Sequence, residues 1–250
     1  MKMEGVIALV TGANRGIGRA FVSCLLQAGA GKVYASVRTQ AAADELARTH
    51  GDQVVPALLD VTAPEMVGRL GHLAGDVTLL INNAGVAHFE GFIGFGDLDT
   101  AWSEMAVNYF GALDVIRAMA PVIQKNGGGT IVQISSIAGM VTFPVTGTYC
   151  ASKAAVNAKI TGARAELAQS GVKVIGVYPG VVETRMSEHF SVPGVPPERI
   201  VAATLESVIR EEEDVFPDPM SRELFERSLR DPKAVETEFS RMLPEHPRDQ

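Results

Sequence analysis

Val6-Ile7-Ala8-Leu9-Val10-Thr11-Gly12-Ala13-Asn14-Arg15-Gly16-Ile17-Gly18 is the stretch on which the architecture turns. The unbroken apolar run from Val6 to Val10 reads as a parallel strand covered on both faces. Three spaced glycines follow it. Gly12 permits a tight turn, Gly16 lets the backbone approach a pyrophosphate, and Gly18 lets the next helix pack close to the sheet. A helix over 16–29, ended by Gly29, then offers free N–H groups and a favourable dipole to phosphate. Turns also collect glycine, but the strand before and the helix after favour a nucleotide loop.

Outward from that loop, strand-like and helix-like segments alternate. Lys32 to Val37, Gln53 to Leu59, Val77 to Ile81, Thr130 to Ser135 and Val172 to Tyr178 read as strands, with a short seventh at Val215-Phe216. Helices are expected over 40–49, 64–73, 149–169 and 198–210, and as one long or two abutting helices over 98–125. The pattern predicts an α/β chain with a single domain. Its form is a Rossmann-type doubly wound parallel sheet of about seven strands with helices on both faces. That domain spans 1–217. Residues 218–250 form a helical C-terminal extension of it. There Asp218-Pro219 and Asp231-Pro232 each place a capping acid before proline, so short helices are expected over 219–230 and 232–243. Their apolar stripes fit packing against the body or a sister subunit, or a lid over a site.

Composition narrows the function classes. A chain of 250 residues with 46% hydrophobic residues can bury a sizeable core. Its net charge of −7 argues against nucleic-acid binding. Cys24 and Cys150 make neither a metal site nor a disulfide framework, so a reducing cytoplasm is the simplest compartment. No metal is expected. No apolar run reaches the roughly 18 residues of a membrane span, and no signal peptide is expected.

Tyr149 and Lys153 stand four residues apart on the long helix 149–169 and share one of its faces. An adjacent ammonium favours the phenolate and lowers a tyrosine pKa from its ordinary value of about 10. A tyrosine so tuned can give or take a proton at a carbonyl or alcohol oxygen. At the end of the second strand, Val37 stands where an NAD-binding carboxylate is expected, and Arg38 follows it. Arg15 projects nearby. Two guanidinium groups without that acid suit the extra phosphate of NADP. Asp60 bonds the adenine amine or caps the helix that follows; the sequence leaves both open.

Taken together, these motifs resemble the short-chain dehydrogenase/reductase family over residues 5 to about 217. The loop has the form Thr-Gly-x-x-x-Gly-x-Gly, and Asn82-Asn83-Ala84-Gly85 matches the motif after the fourth strand. Asn108, Ser136, the Tyr149-x-x-x-Lys153 pair, and Pro179-Gly180 with Thr184 match the others. The resemblance implies a catalytic set of Asn108, Ser136, Tyr149 and Lys153. Tyr149 is the general acid in reduction and the base in reverse. Lys153 lowers the Tyr149 pKa and holds the nicotinamide ribose, Ser136 polarises the substrate oxygen, and Asn108 holds a water that links Lys153 to solvent. The implied NADP(H) site runs from Gly12 through Asn14, Arg15, Gly16, Ile17 and Gly18 to Arg38, Asp60 and Val61. It continues along Asn83, Ala84 and Gly85 to Pro179, Gly180, Val182 and Thr184.

By position, the substrate pocket is walled by 138–145, 87–89 and the loop 185–197. Ser136 is its polar group; Met140, Phe143, Val145, Met186 and Phe190 make it mostly apolar. A hydrophobic ketone, aldehyde or alcohol fits such walls. Two other readings stand beside this one: an NAD-dependent alcohol dehydrogenase, and a non-catalytic NADP-binding sensor or scaffold. The resemblance further implies a homodimer or homotetramer, pairing the helices near 111–125 and 149–169 across a twofold axis.

Overall fold

The computed structural model describes residues 1–93, 97–188 and 191–243. Among the described residues, seven strands form one parallel sheet: β1 (Ile7–Val10), β2 (Lys32–Val37), β3 (Val54–Leu58), β4 (Leu79–Asn82), β5 (Gly129–Ile134), β6 (Val172–Val177) and β7 (Asp214–Val215). Their spatial order is β3-β2-β1-β4-β5-β6-β7. The central register pairs Ala8 with Val33 on one side and with Leu79 on the other. Strand order reverses between β1 and β4, and that switch point opens a crevice at their carboxyl ends.

The two-residue side-chain period of each strand feeds two core layers. Ala8, Val10, Leu79, Ile81, Val132, Ile175 and Val177 face one layer. It is closed by α1 (Gly16–Gln27), α2 (Gln40–His50) and α8 (Pro197–Arg210) through Phe21, Leu25, Leu46, Ile200, Val201 and Leu205. Leu9, Leu80, Ile131 and Val174 face the other layer. There Val67 of α3 (Pro64–Val67) and Leu70 of α4 (Leu70–Leu73) meet α6 (Ala112–Lys125) and α7 (Gly147–Leu167). The helix expected over 64–73 is thus two short helices, interrupted at Gly68 and Arg69.

The stretch 98–125 is continuous but not uniform. α5 (Leu98–Glu104) passes into a π-helical segment over Met105–Gly111 and then into α6. The expectation of no membrane span rests on unbroken apolar runs. By length and composition this whole stretch is able to cross a membrane. Here its side chains Val115, Ile116, Met119 and Ile123 are packed in the second core layer.

The tail forms α9 (Pro219–Arg230) and α10 (Pro232–Phe239), so the second helix ends before 243. Asp218 and Asp231 cap them, accepting from Ser221 N and Ala234 N at 2.9 Å each. Leu224 and Val235 pack with Ile137 and Val141 in a third apolar cluster, so the tail lies against the body.

One buried charge sits outside this scheme. Lys159 on α7 is buried, and its Nζ has no hydrogen-bond partner among the described residues. Burial, with some repulsion from Lys153, pulls its pKa down from 10.5 to about 7. The folded value lies below the unfolded one, so the unfolded chain binds the extra proton between those pH values. Stability therefore rises from about pH 7 toward 10.5, and the cost is complete below pH 7. Lys159→Met is expected to raise Tm by several degrees at pH 6, at ~2–4 °C per kcal/mol for a chain this size. The gain should shrink toward pH 10 in paired thermal melts.

Candidate active site

The glycine loop sits at the switch point. A Cβ on Gly18 would overlap the Gly12 carbonyl oxygen, so only glycine lets α1 approach the loop this closely. Gly16 has φ +53°, and a Cβ there would meet Thr184 Cγ2 at 3.0 Å. The loop is knitted to 82–85 through Thr11. Its Oγ1 accepts from Asn83 N and Ala84 N at 2.9 Å each, and Asn83 Nδ2 donates back to Thr11 O at 2.9 Å. Asn82, fully buried, donates to Ala112 O at 2.8 Å and Gln133 Oε1 at 3.0 Å, fixing the end of β4.

One cleft gathers Gly12, Asn14, Arg15, Gly16, Ile17, Arg38, Asp60, Val61, Asn83, Ala84 and Gly85 at the first strands. It continues past Ser136, Tyr149 and Lys153 to Pro179, Gly180, Val182 and Thr184. Gly18 does not line it; its part is the packing just described. Arg15 and Arg38 are exposed, and neither is within ion-pair distance of a carboxylate among the described residues. Asp60 Oδ1 accepts from Thr62 N at 2.9 Å and Thr62 Oγ1 at 2.7 Å. These bonds, and Arg38 nearby, hold its carboxyl below the ordinary range despite partial burial. Ser36 also lines the cleft. Its hydroxyl is buried without a partner, a signal the sequence reading passed over.

At the other end, β5 delivers Ser136 and α7 delivers Tyr149 and Lys153. Ser136 Oγ accepts from Ala138 N at 3.1 Å and faces Pro179 O at 3.3 Å, so it caps the turn 137–139 while lining the cleft. Lys153 is buried; its Nζ donates to Ile134 O at 3.3 Å and lies 5.7 Å from the Tyr149 ring centroid. Burial pulls Lys153 down to about 8. Burial likewise pushes Tyr149 above its ordinary value, against the hydrogen bond from Ser136. The expected lowering of Tyr149 by Lys153 is therefore not found. Desolvation of both groups outweighs their proximity.

Asn108 is buried away from the cleft. Its Nδ2 donates to Val86 O and Ser152 Oγ, and its Oδ1 accepts from Val86 N, all at 2.9 Å. It therefore holds the loop 86–90, and a Cβ on Gly85 would lie 3.2 Å from its Oδ1 and 3.8 Å from Lys153 Nζ. Glu104, one turn earlier and fully buried, accepts from His88 N at 2.6 Å. Thr100, a further turn back, bonds Glu90. Thr148 N closes the ladder on Glu90 O at 3.4 Å. Three polar residues on one helix side thus grip alternate residues of the loop, and Ala87 and Phe89 between them line the cleft. Burial raises the Glu104 pKa, opposed by the His88 N–H.

The substrate end is lined by Phe143, Val145 and Met186 as expected by position, joined by Val192, Met220 and Met242. Met140 does not line it. The turn 137–139 carries Met140 into the second and third apolar clusters. Phe190 lies outside the described residues. The loop 185–197 is anchored at its base, where Glu183 N donates to Val195 O at 2.9 Å and Val195 N to Val181 O at 3.0 Å.

The short chain dehydrogenase family model matches residues 6–192. A short-chain dehydrogenase from Burkholderia cenocepacia, solved in complex with NADP, is 38% identical. It superposes with a TM-score of 0.91 over 96% of this chain and 99% of that one. The dehydrogenase/reductase SDR family protein 7-like of Drosophila melanogaster is 30% identical over 243 residues, 86% of this chain and 73% of the relative. Estradiol 17-beta-dehydrogenase 2 of Rattus norvegicus is 33% identical over 71% of this chain and 48% of its own length. With its doubly wound sheet and this cleft, the chain belongs to the short-chain dehydrogenase/reductase family of oxidoreductases.

Proposed function

We propose that this protein is an NADP(H)-dependent oxidoreductase that reduces the carbonyl group of a mostly hydrophobic small molecule, with Tyr149 as general acid and, in reverse, as general base. One observation carries the reading. A single cleft holds the exposed Arg15 and Arg38 at one end and Ser136, Tyr149 and Lys153 among mostly apolar walls at the other.

The residues present fit the cofactor. α1 begins without a side-chain cap at Arg15, so its first N–H groups are free for a pyrophosphate. The buried, unpartnered Ser36 hydroxyl offers a polar contact on the adenosine side. Arg15 and Arg38 suit a ribose phosphate, and Val37 offers no carboxylate to repel it. The 38% identical NADP-bound neighbour supports the same choice. Thr184 and the Val182 backbone border the nicotinamide end.

The nicotinamide supplies the hydride, which no side chain can. The protein supplies the rest. Ser136 donates to the carbonyl oxygen and polarises it. Tyr149 delivers its proton to that oxygen as negative charge develops. A phenol whose pKa burial keeps high is held protonated for this task. Lys153 offers its ammonium to the forming phenolate and to the ribose hydroxyls. Asn108 acts by holding Val86 and, through Ser152, the turn of α7 that carries Lys153.

Pairing of the helices near 111–125 and 149–169 with those of a second copy is part of this reading. Phe110, 54% exposed one residue ahead of the first of them, favours it. A reducing cytoplasm, in which Cys24 and Cys150 stay free thiols, is also part of this reading. The experiment is a spectrophotometric screen of NADPH and NADH oxidation against apolar ketones and aldehydes. Consumption of NADPH with at least one carbonyl supports the reading; faster turnover with NADH overturns the role given to Arg15 and Arg38.

A further inference from the structure

The tail beyond 217 lies outside the segment that the family model matches, yet it builds one wall of the cleft. Met220 on α9 and Met242 just after α10 both line it, as do Phe143, Val145, Met186 and Val192. Resting on the carbonyl-reductase reading, we infer that Met220 and Met242 are specificity-determining residues that admit carbonyl compounds carrying a bulky or flexible apolar group.

The backbone of this wall is firmly seated. Asp218 is 1% exposed; its Oδ2 accepts from Gly180 N at 2.8 Å while its Oδ1 caps α9 at Ser221 N. One buried carboxylate thus ties the start of the tail to the Pro179-Gly180 turn of the cleft. Met220 follows directly: a Cβ built on Gly180 would lie 3.2 Å from the Met220 sulfur. Behind it, Phe216 stacks on Tyr178 at 5.2 Å and on Phe225 at 4.1 Å between ring centroids. Phe239 meets Phe143 edge-on at 4.7 Å. These contacts make the tail a fixed wall, not a loosely hinged cover.

The side chains on that wall have the opposite character. Methionine is unbranched, with three rotatable bonds and a polarizable sulfur, and it refits around differently shaped apolar groups. No charged side chain of the tail lines the cleft among the described residues. A rigid frame lined by two adaptable thioethers selects for apolar bulk without demanding one shape. The charged side chain at this end, Arg185, belongs to the loop 185–197 and not to the tail wall.

The test compares the unsubstituted protein with Met220→Trp, Met242→Trp and the two alanine variants. NADPH-dependent kcat/KM is read for cyclohexanone and for 4-phenyl-2-butanone. The expected result is a fall of about 10-fold or more in the bulky-to-small ratio for the tryptophan variants, since excluding a single methylene-sized group already costs 10–200-fold. The fall should enter mainly through KM of the bulky ketone, and the alanine variants should shift the ratio the other way. NADPH binding by each variant reports an intact cleft. Met242 is 42% exposed, which leaves room for the larger ring without overpacking a core. Turnover of both ketones with a ratio unmoved across all four variants overturns the role of the tail alone. If the unsubstituted protein reduces no carbonyl in the panel, the reductase reading falls and the inference falls with it.

Discussion

Tyr149→Phe is expected to lower kcat for carbonyl reduction by about 10²- to 10⁴-fold, the usual worth of a positioned general acid. The phenylalanine ring keeps the packing of the half-buried tyrosine and removes only the hydroxyl. NADPH affinity should therefore stay within about threefold of the parent, because the glycine loop, Arg15 and Arg38 are untouched. The combination is what discriminates: a loss in kcat with binding retained marks a residue acting in the transition state. If the variant keeps more than a tenth of the parent kcat, another group supplies the proton. In that case the role of Tyr149 as proton donor falls.

The second large effect concerns cofactor choice. Arg38→Asp should weaken NADPH binding and strengthen NADH binding. A charge-assisted hydrogen bond is worth about 1.5–3 kcal/mol, or roughly 10- to 150-fold in Kd. The new carboxylate also repels a ribose phosphate and can accept from ribose hydroxyls. Arg38 is exposed at the end of β2, so its replacement disturbs no core contact. Titration of both cofactors by nucleotide fluorescence reads the switch directly. Unchanged preference would mean that Arg38 is a solvated surface charge and that Arg15 or the unpartnered Ser36 governs the choice.

The fold was legible because each central strand obeys a two-residue period with both faces apolar. Ala8 and Val10 feed one layer while Leu9 feeds the other, which only a covered parallel sheet requires. The glycine loop was legible for a related reason: its positions demand a backbone that no Cβ permits. What escaped was set by distant contacts. Asp218 was readable as a helix cap, but its second oxygen serves Gly180 N, 38 residues away in sequence. Glu104 gave no sequence signal, because a carboxylate in a helix ordinarily faces water. Its burial follows from the π-helical segment beside it and from the His88 N–H that it satisfies. Met140 sits in the predicted pocket wall by sequence, yet the tight turn at 137–139 swings it into the core. The raised Tyr149 shows the same limit: spacing places Lys153 beside it, but spacing does not report desolvation.

The most direct test of the account is the fate of the transferred hydride. The parent protein would be incubated with NADPH deuterated at the transferable C4 position and an apolar ketone, and the alcohol analysed by mass spectrometry. One deuterium on the carbinol carbon is expected, with at least about 100-fold less alcohol, carrying the same label, from a parallel Tyr149→Phe reaction run for the same time. Alcohol formed without the label, or no alcohol from any ketone that binds the NADPH-loaded cleft, would contradict it.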